Sequence, residues 1–246
     1  MLIENDATKF IARPAVIITG VRTGGTFLAH CLSNHPDIFC DRAESLHHAS
    51  IWHLYLTTDH LALLKCLTHM QGYHVSICKL VYSQVFGFDV WTYLVEQQSP
   101  VLWLTRDNTI RQAVSVFINR MARSGMIDHP QHSFSDVKPI QVELQANDLL
   151  SEARELAAID EQARSELVKM NSVLHLTYEQ ITQSAIGLGP EIGRQICDFL
   201  GVRYQAMTCD LKRVNAAPLG QIISNWHAVR PAIEASEFRA CLESEE

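Results

Sequence analysis

The sequence predicts an α/β fold, a three-layer sandwich in which a central, mostly parallel sheet is flanked by helices. Three observations carry this expectation. Short, wholly apolar runs rich in β-branched residues alternate with longer segments of helical periodicity. The first apolar run ends in a glycine loop that opens a helix. The chain has 246 residues, 47% of them hydrophobic, enough to bury one full core, and residues 1–246 are therefore read as a single domain.

The first run is Ala-Val-Ile-Ile-Thr at residues 15–19, uninterrupted by polar residues, as a strand covered on both faces requires. Gly20, Val21, Arg22, Thr23, Gly24, Gly25 and Thr26 follow, and Phe27, Leu28, Cys31 and Leu32 then share one helical face. Residues 38–40 read as a short strand, 75–81 as a strand, 89–97 as a helix and 101–105 as a strand. Residues 109–123 read as a helix with Ile110, Val114, Phe117 and Met121 on one side. Residues 125–139, polar and holding Pro, His and Ser, are expected to form a mobile loop.

From Leu149 onward, Ala153, Leu156, Asp160, Ala163, Leu167 and Met170 trace one face of a helix about six turns long. Residues 173–177 supply another strand, and residues 190–200 a helix with Pro190 in its first turn and Gly201 as its stop. Residues 209–217 are basic and turn-rich, and residues 219–227 are expected to form a last helix.

Acidic residues outnumber basic ones, 27 against 20, for a net charge of −7, so the chain as a whole has no electrostatic grip on nucleic acid or an anionic membrane. An anionic ligand has to be held locally. The seven cysteines are odd in number and form no CxxC pair, which fits neither a disulfide framework nor a zinc clip and suits a reducing compartment. The twelve histidines are dispersed, and Cys31, His35 and Cys40 lack metal-ligand spacing, so no metal is expected. Residues 1–13 carry no basic start followed by a long apolar run, and no stretch reaches the roughly 18 apolar residues of a membrane span. The expectation is a cytoplasmic protein with no membrane span and no nucleic-acid partner.

A glycine loop between a buried strand and a helix N-terminus is P-loop-like: it turns backbone N–H groups and the positive end of a helix dipole toward a phosphate or sulfate. Gly20 and Gly25 have the spacing of a Walker A loop, but Thr26 and Phe27 stand where that motif needs Lys and Ser/Thr, which weakens an ATPase or GTPase reading. The segment Arg22-Thr23-Gly24-Gly25-Thr26 resembles the 5′-phosphosulfate loop of sulfotransferases that use 3′-phosphoadenosine 5′-phosphosulfate (PAPS). A second segment, Arg106-Asp107-Asn108 running to Arg111, Gln112 and Ser115, resembles their 3′-phosphate segment. Its pattern looks closest to the bacterial branch that includes trehalose and nodulation-factor sulfotransferases. Arg106 and Ser115 are nine residues apart, one more than in the common cytosolic branch, and whether Arg106 or Arg111 is the main 3′-phosphate ligand stays open.

Shorter matches follow in family order. Cys78-Lys79-Leu80 with Gln84 resembles the central strand with its buried lysine, Leu176-Thr177-Tyr178-Glu179 the Tyr-Glu turn, and Phe199-Leu200-Gly201 a helix end. Lys212, Arg213 and Asn215, with Asn225 and Trp226 behind them, resemble the basic C-terminal loop that closes over the nucleotide. Together the matches cover about residues 14–230.

The resemblance implies in-line transfer of a sulfuryl group from PAPS, leaving 3′-phosphoadenosine 5′-phosphate (PAP), to a hydroxyl of a small carbohydrate, lipid-linked or other metabolite acceptor, without a metal. Arg22 would face the oxygen bridging sulfur and phosphorus, with Thr23, Gly24, Gly25 and Thr26 on the 5′-phosphate and Arg106, Ser115, Lys212 and Arg213 on the 3′-phosphate. Glu44 matches the carboxylate that the bacterial branch uses as base; His47 and His48 are alternatives, as is Asp41. A homodimer is compatible with this branch. Two other readings stay open: a P-loop small-molecule kinase, and a non-catalytic module that binds PAPS or PAP.

Overall fold

Apolar runs without polar alternation satisfy their backbone and bury both faces only in a covered sheet, and here they do so side by side. A computed structural model of the chain describes residues 12–40, 72–82, 90–128, 140–212 and 217–243. In chain order the elements are β1 (Arg13–Thr19), α1 (Gly25–Leu32), β2 (Ile38–Cys40), β3 (Val75–Val81), α2 (Val90–Glu96), β4 (Val101–Thr105) and α3 (Thr109–Arg123). There follow α4 (Ala146–Leu167), β5 (Val173–Thr177), α5 (Tyr178–Ile181), α6 (Pro190–Leu200), α7 (Leu219–Ile222), α8 (Trp226–Glu234) and α9 (Ala240–Glu243). The strands form one five-stranded sheet in the order β2-β3-β1-β4-β5, with every neighbouring pair parallel.

Alternate residues of each strand feed the two faces. Ala15, Ile17, Ile77, Leu102 and Leu104 pack against Leu28 and Leu32 of α1 and Ile196 and Leu200 of α6. Val16, Ile18, Cys78, Leu80, Val101 and Trp103 pack against Tyr93 and Leu94 of α2 and Ala163 and Leu167 of α4 on the opposite face. A third apolar cluster joins α3, the first half of α4 and the C-terminal helices through Ile110, Leu149, Ile222 and Ile233. The architecture is thus the helix-flanked parallel sheet that the apolar pattern predicts.

The strand order fixes where a ligand can sit. From β1 the chain crosses by α1 to β2 on one side of the sheet, whereas from neighbouring β4 it runs by α3 and α4 to β5 on the other. Connections that part in opposite directions leave a crevice at the carboxyl ends of the two strands, the place where open α/β sheets bind ligands. The glycine loop follows β1, and Arg106 follows β4.

Two expectations about helices are corrected. The last helix predicted over residues 219–227 is broken into α7 and α8, because Ile223 turns to an extended conformation (φ −94°, ψ 108°) and forms a parallel bridge with Val142. Val142 N–H donates to the Ile222 carbonyl at 2.8 Å and Ser224 N–H to the Val142 carbonyl at 2.9 Å, so tertiary pairing overrides the helical period. The long helix begins at Ala146, ahead of Leu149, and ends at Leu167, short of Met170. Of the polar segment 125–139, only the part up to Asp128 lies among the described residues.

Candidate functional site

The loop after β1 is held from behind by side chains of the β4–α3 connection. Gln112 Nε2 donates to the Val21 carbonyl at 2.8 Å, and Arg106 Nη1 donates to the Arg22 carbonyl at 3.2 Å. In a trans peptide the C=O and the N–H point in opposite directions. Gripping two successive carbonyls from one side therefore turns the Arg22 and Thr23 N–H groups to the other, the orientation an anion cradle needs. Arg22 itself lies at φ 59°, a left-handed conformation that costs a non-glycine residue roughly 1–3 kcal/mol and persists where the surroundings over-determine it.

Gly24, at φ 88°, caps α1 without a side-chain hydrogen bond, leaving the first turn of the helix to backbone donors. A Cβ there would come within 2.8 Å of Tyr178 Cδ2, so the turn requires glycine for packing as well as for conformation. Thr23 is fully buried; its hydroxyl bonds to the Gly20 carbonyl at 3.0 Å and makes a short contact with the Thr19 hydroxyl. Thr26 receives a hydrogen bond from Lys79 Nζ at 3.1 Å, which brings an ammonium from β3 to the start of α1.

Arg22 Nε donates to Ser115 Oγ at 2.9 Å, which joins the two sequence motifs in one site. Asn108 caps α3 by accepting from the Arg111 N–H at 2.9 Å, and one to two turns on, Gln112 and Ser115 share its helix face. That i, i+4, i+7 polar stripe, set against the apolar face of α3, is the signal that could have marked Gln112 as part of the site from sequence.

Arg106 is deeply placed. Its side chain is 8% exposed, its guanidinium lies 4.2 Å from the centre of the Tyr178 ring, and its Nε sits 3.8 Å from Glu179 Oε1. Glu179 also receives the Asp107 N–H at 3.0 Å and the Asn108 N–H at 3.4 Å, so α5 clamps the turn that presents Arg106. Burial lowers the Arg106 pKa, Tyr178 and Glu179 oppose the shift, and the nearby cations Arg111 and Arg22 add to it. Arginines that feel one another in a chain of net charge −7 make a local positive field suited to an anion.

Arg111 reaches elsewhere as well: its Nη2 donates to the Ala217 carbonyl at 2.9 Å and ties α3 to the C-terminal segment. Lys212 is exposed, while Arg213, Gln84 and Asn215 lie outside the described residues. So do Glu44, His47, His48 and Asp41, the candidate bases. His35 is buried with Nε2 2.9 Å from the Arg203 carbonyl. Among the described residues no group of three or more His, Cys, Asp or Glu could hold a metal ion, and no helix is long and apolar enough to cross a membrane.

Fold and site together define an α/β protein in which a glycine loop, Arg22, Arg106, Arg111 and Lys79 gather at the switch point of a parallel sheet. No family model and no curated protein sequence matches the chain. Among solved structures it is similar to the sulfotransferase domain from the curacin biosynthetic pathway, at 13% identity and a TM-score of 0.45, covering 80% of this chain and 76% of that one. At that distance the likeness assigns no chemistry to any residue of this chain.

Proposed function

We propose that the chain is a single-domain sulfotransferase that moves a sulfuryl group from PAPS to a hydroxyl of a small carbohydrate, lipid-linked or other metabolite acceptor. The observation that most supports this is the Arg22–Ser115 hydrogen bond, with Arg106 bonded to the carbonyl of the same Arg22. Two segments that separately resemble a 5′- and a 3′-phosphate site meet there, and a nucleotide phosphorylated at both positions suits such a pair. The donor set of guanidinium, ammonium, hydroxyl and backbone N–H fits an anion, and Arg22 gives up a neutral hydroxyl for a charged partner on binding.

In this reading the sulfur–oxygen bond to the 5′-phosphate breaks as the acceptor oxygen bonds to sulfur in line. Negative charge grows on the leaving phosphate, where Arg22 and the N–H groups of the glycine loop stabilise it. Lys79, beside Thr26, adds a second cation at the same helix end. The acceptor proton passes to Glu44, or to His47 or His48. Arg106, Ser115, Lys212 and Arg213 serve the 3′-phosphate, and the trehalose and nodulation-factor branch is the subfamily favoured. A cytoplasmic location and a homodimer belong to the same proposal.

Calorimetric titration with PAP in the absence of Mg²⁺ tests it, alongside Arg22→Ala, Arg106→Ala and an ATP control. The reading requires micromolar binding to the wild type, weakened in both variants and absent with ATP. A Mg²⁺-dependent preference for ATP would replace it with the kinase reading.

A further inference from the structure

On the sheet face opposite α1, a chain of polar groups is buried among apolar side chains. Trp103 Nε1 donates to the Tyr82 hydroxyl at 2.8 Å. An indole can only donate, so the phenol oxygen accepts there and directs its own proton to Asp160 of α4, with which it is hydrogen-bonded. Asp160 Oδ1 is buried and has no hydrogen-bond partner. Asp160 feels Tyr82, just past the end of β3, and Arg164 of its own helix α4; of the neighbouring elements, α2 brings Tyr93 into the same apolar cluster as Tyr82, and β5 brings His175 against Trp103. Arg164 lies 5.1 Å from the centre of the Trp103 ring. His175 stacks on that ring with centroids 4.2 Å apart and shares a 2.8 Å hydrogen bond with Thr105 Oγ1.

This network reaches the glycine loop at Gly20. The Tyr82 ring lies under Gly20: its Cε2 is 3.4 Å from the point where a side chain on Gly20 would begin, with Gln112 Nε2 at 3.3 Å from the same point. Gly20 is where β1 becomes the loop, so its seat sets the path of Val21 and Arg22.

We propose that Asp160 is a positioning residue for the glycine loop, acting from the far side of the sheet: it orients Tyr82, and the Tyr82 ring fixes Gly20. A catalytic consequence rests on the sulfotransferase reading of that loop, but the positioning does not. For stability alone a neutral amide of the same shape would serve better at this place, because a buried carboxylate with one unpartnered oxygen is costly. Burial raises the Asp160 pKa to about 6, with Tyr82 and Arg164 pulling it down. The ionised form is the stronger acceptor for the Tyr82 hydroxyl. The grip on the loop therefore weakens as pH falls through that region.

Hydrogen exchange on the full chain, without ligand, tests this. The reporter is the Gly25–Leu32 helix, whose Leu28 N–H bonds to the Gly24 carbonyl at 3.0 Å. At pH 7.5 Asp160→Asn and Tyr82→Phe are expected to exchange that helix roughly three- to tenfold faster, the worth of one hydrogen bond, and in Asp160→Asn β4 and α6 exchange no faster than in the wild type. Corrected for the chemical rate, wild-type protection there falls between pH 7.5 and 5. His175→Gln keeps this transition and Asp160→Asn lacks it, although Asp160→Asn melts at or above the wild-type temperature. Unchanged exchange of the reporter in both variants overturns the proposal. So does faster exchange everywhere with a lower melting temperature, which marks a merely structural residue. Failure of the wild type to bind PAP would remove the sulfotransferase reading and leave this result standing.

Discussion

Arg22 Nε and Ser115 Oγ are 2.9 Å apart although 93 residues separate them in sequence. Their meeting joins the glycine loop to one face of α3, as the proposed nucleotide site requires. The hydroxyl has little else to do: it sits on a buried stretch of α3, between Val114 and Val116. Ser115→Ala is accordingly expected to weaken PAP binding roughly ten- to hundredfold, the range for a hydrogen bond to a charged group, and to leave the melting temperature close to wild type. Titration calorimetry and a thermal melt check both halves.

Gly24→Ala is expected to cost stability even without ligand. The new methyl meets the Tyr178 ring at 2.8 Å on a backbone at φ 88°, and such positions cost roughly 1–3 kcal/mol. Urea denaturation of the variant measures the loss. Gly125→Ala, at φ 74° but with nothing within 4 Å, shares the conformational cost without the clash and is expected to lose less.

Glu179 holds the turn before α3 by two backbone N–H groups, and its 3.8 Å ion pair with Arg106 is long and partly solvated. Glu179→Ala is expected to lose about 2 kcal/mol by leaving the Asp107 and Asn108 N–H groups without their acceptor, whereas Glu179→Gln, which keeps an acceptor oxygen, loses about 1 kcal/mol or less. Equal losses in the two denaturation curves would assign the effect to the charge.

Stability against pH gives a signed expectation for Asp160. Burial raises its pKa from 3.8 to about 6 in the folded chain. A carboxyl raised in this way contributes stability below its unfolded pKa and loses it as pH rises through the folded value. The wild type is thus expected to match Asp160→Asn near pH 4 and to fall below it by at most about 3 kcal/mol above pH 6. Denaturation at pH 4, 5, 6 and 7.5 reads the difference directly.

The sheet was legible in the sequence because its strands are short apolar runs closed by polar or glycine residues, and β3, β4 and β5 coincide with the predicted runs. The loop was legible because Gly24 and Gly25 stand between Thr23 and Thr26 where a strand gives way to a helix. What the sequence hid depends on contacts between distant segments. The break at Ile223 needs Val142 as its partner, and no local period announces it. Asp160 stands in a helical series among Leu156, Ala163 and Leu167, and the group that makes sense of a carboxylate there, Tyr82, comes from just past β3. The depth of Arg106 needs Tyr178 and Glu179 beside it, and these come from the turn after β5.

The most direct test of the central claim compares PAP with adenosine 5′-phosphate, which lacks the 3′-phosphate, on the wild type, Arg106→Ala and Ser115→Ala. The account predicts that PAP binds the wild type at least about tenfold more tightly, since the extra phosphate gains a charge-assisted hydrogen bond, and that both variants erase most of that advantage. Equal affinity for the two nucleotides, or an advantage that survives in both variants, would contradict a 3′-phosphate site at Arg106 and Ser115.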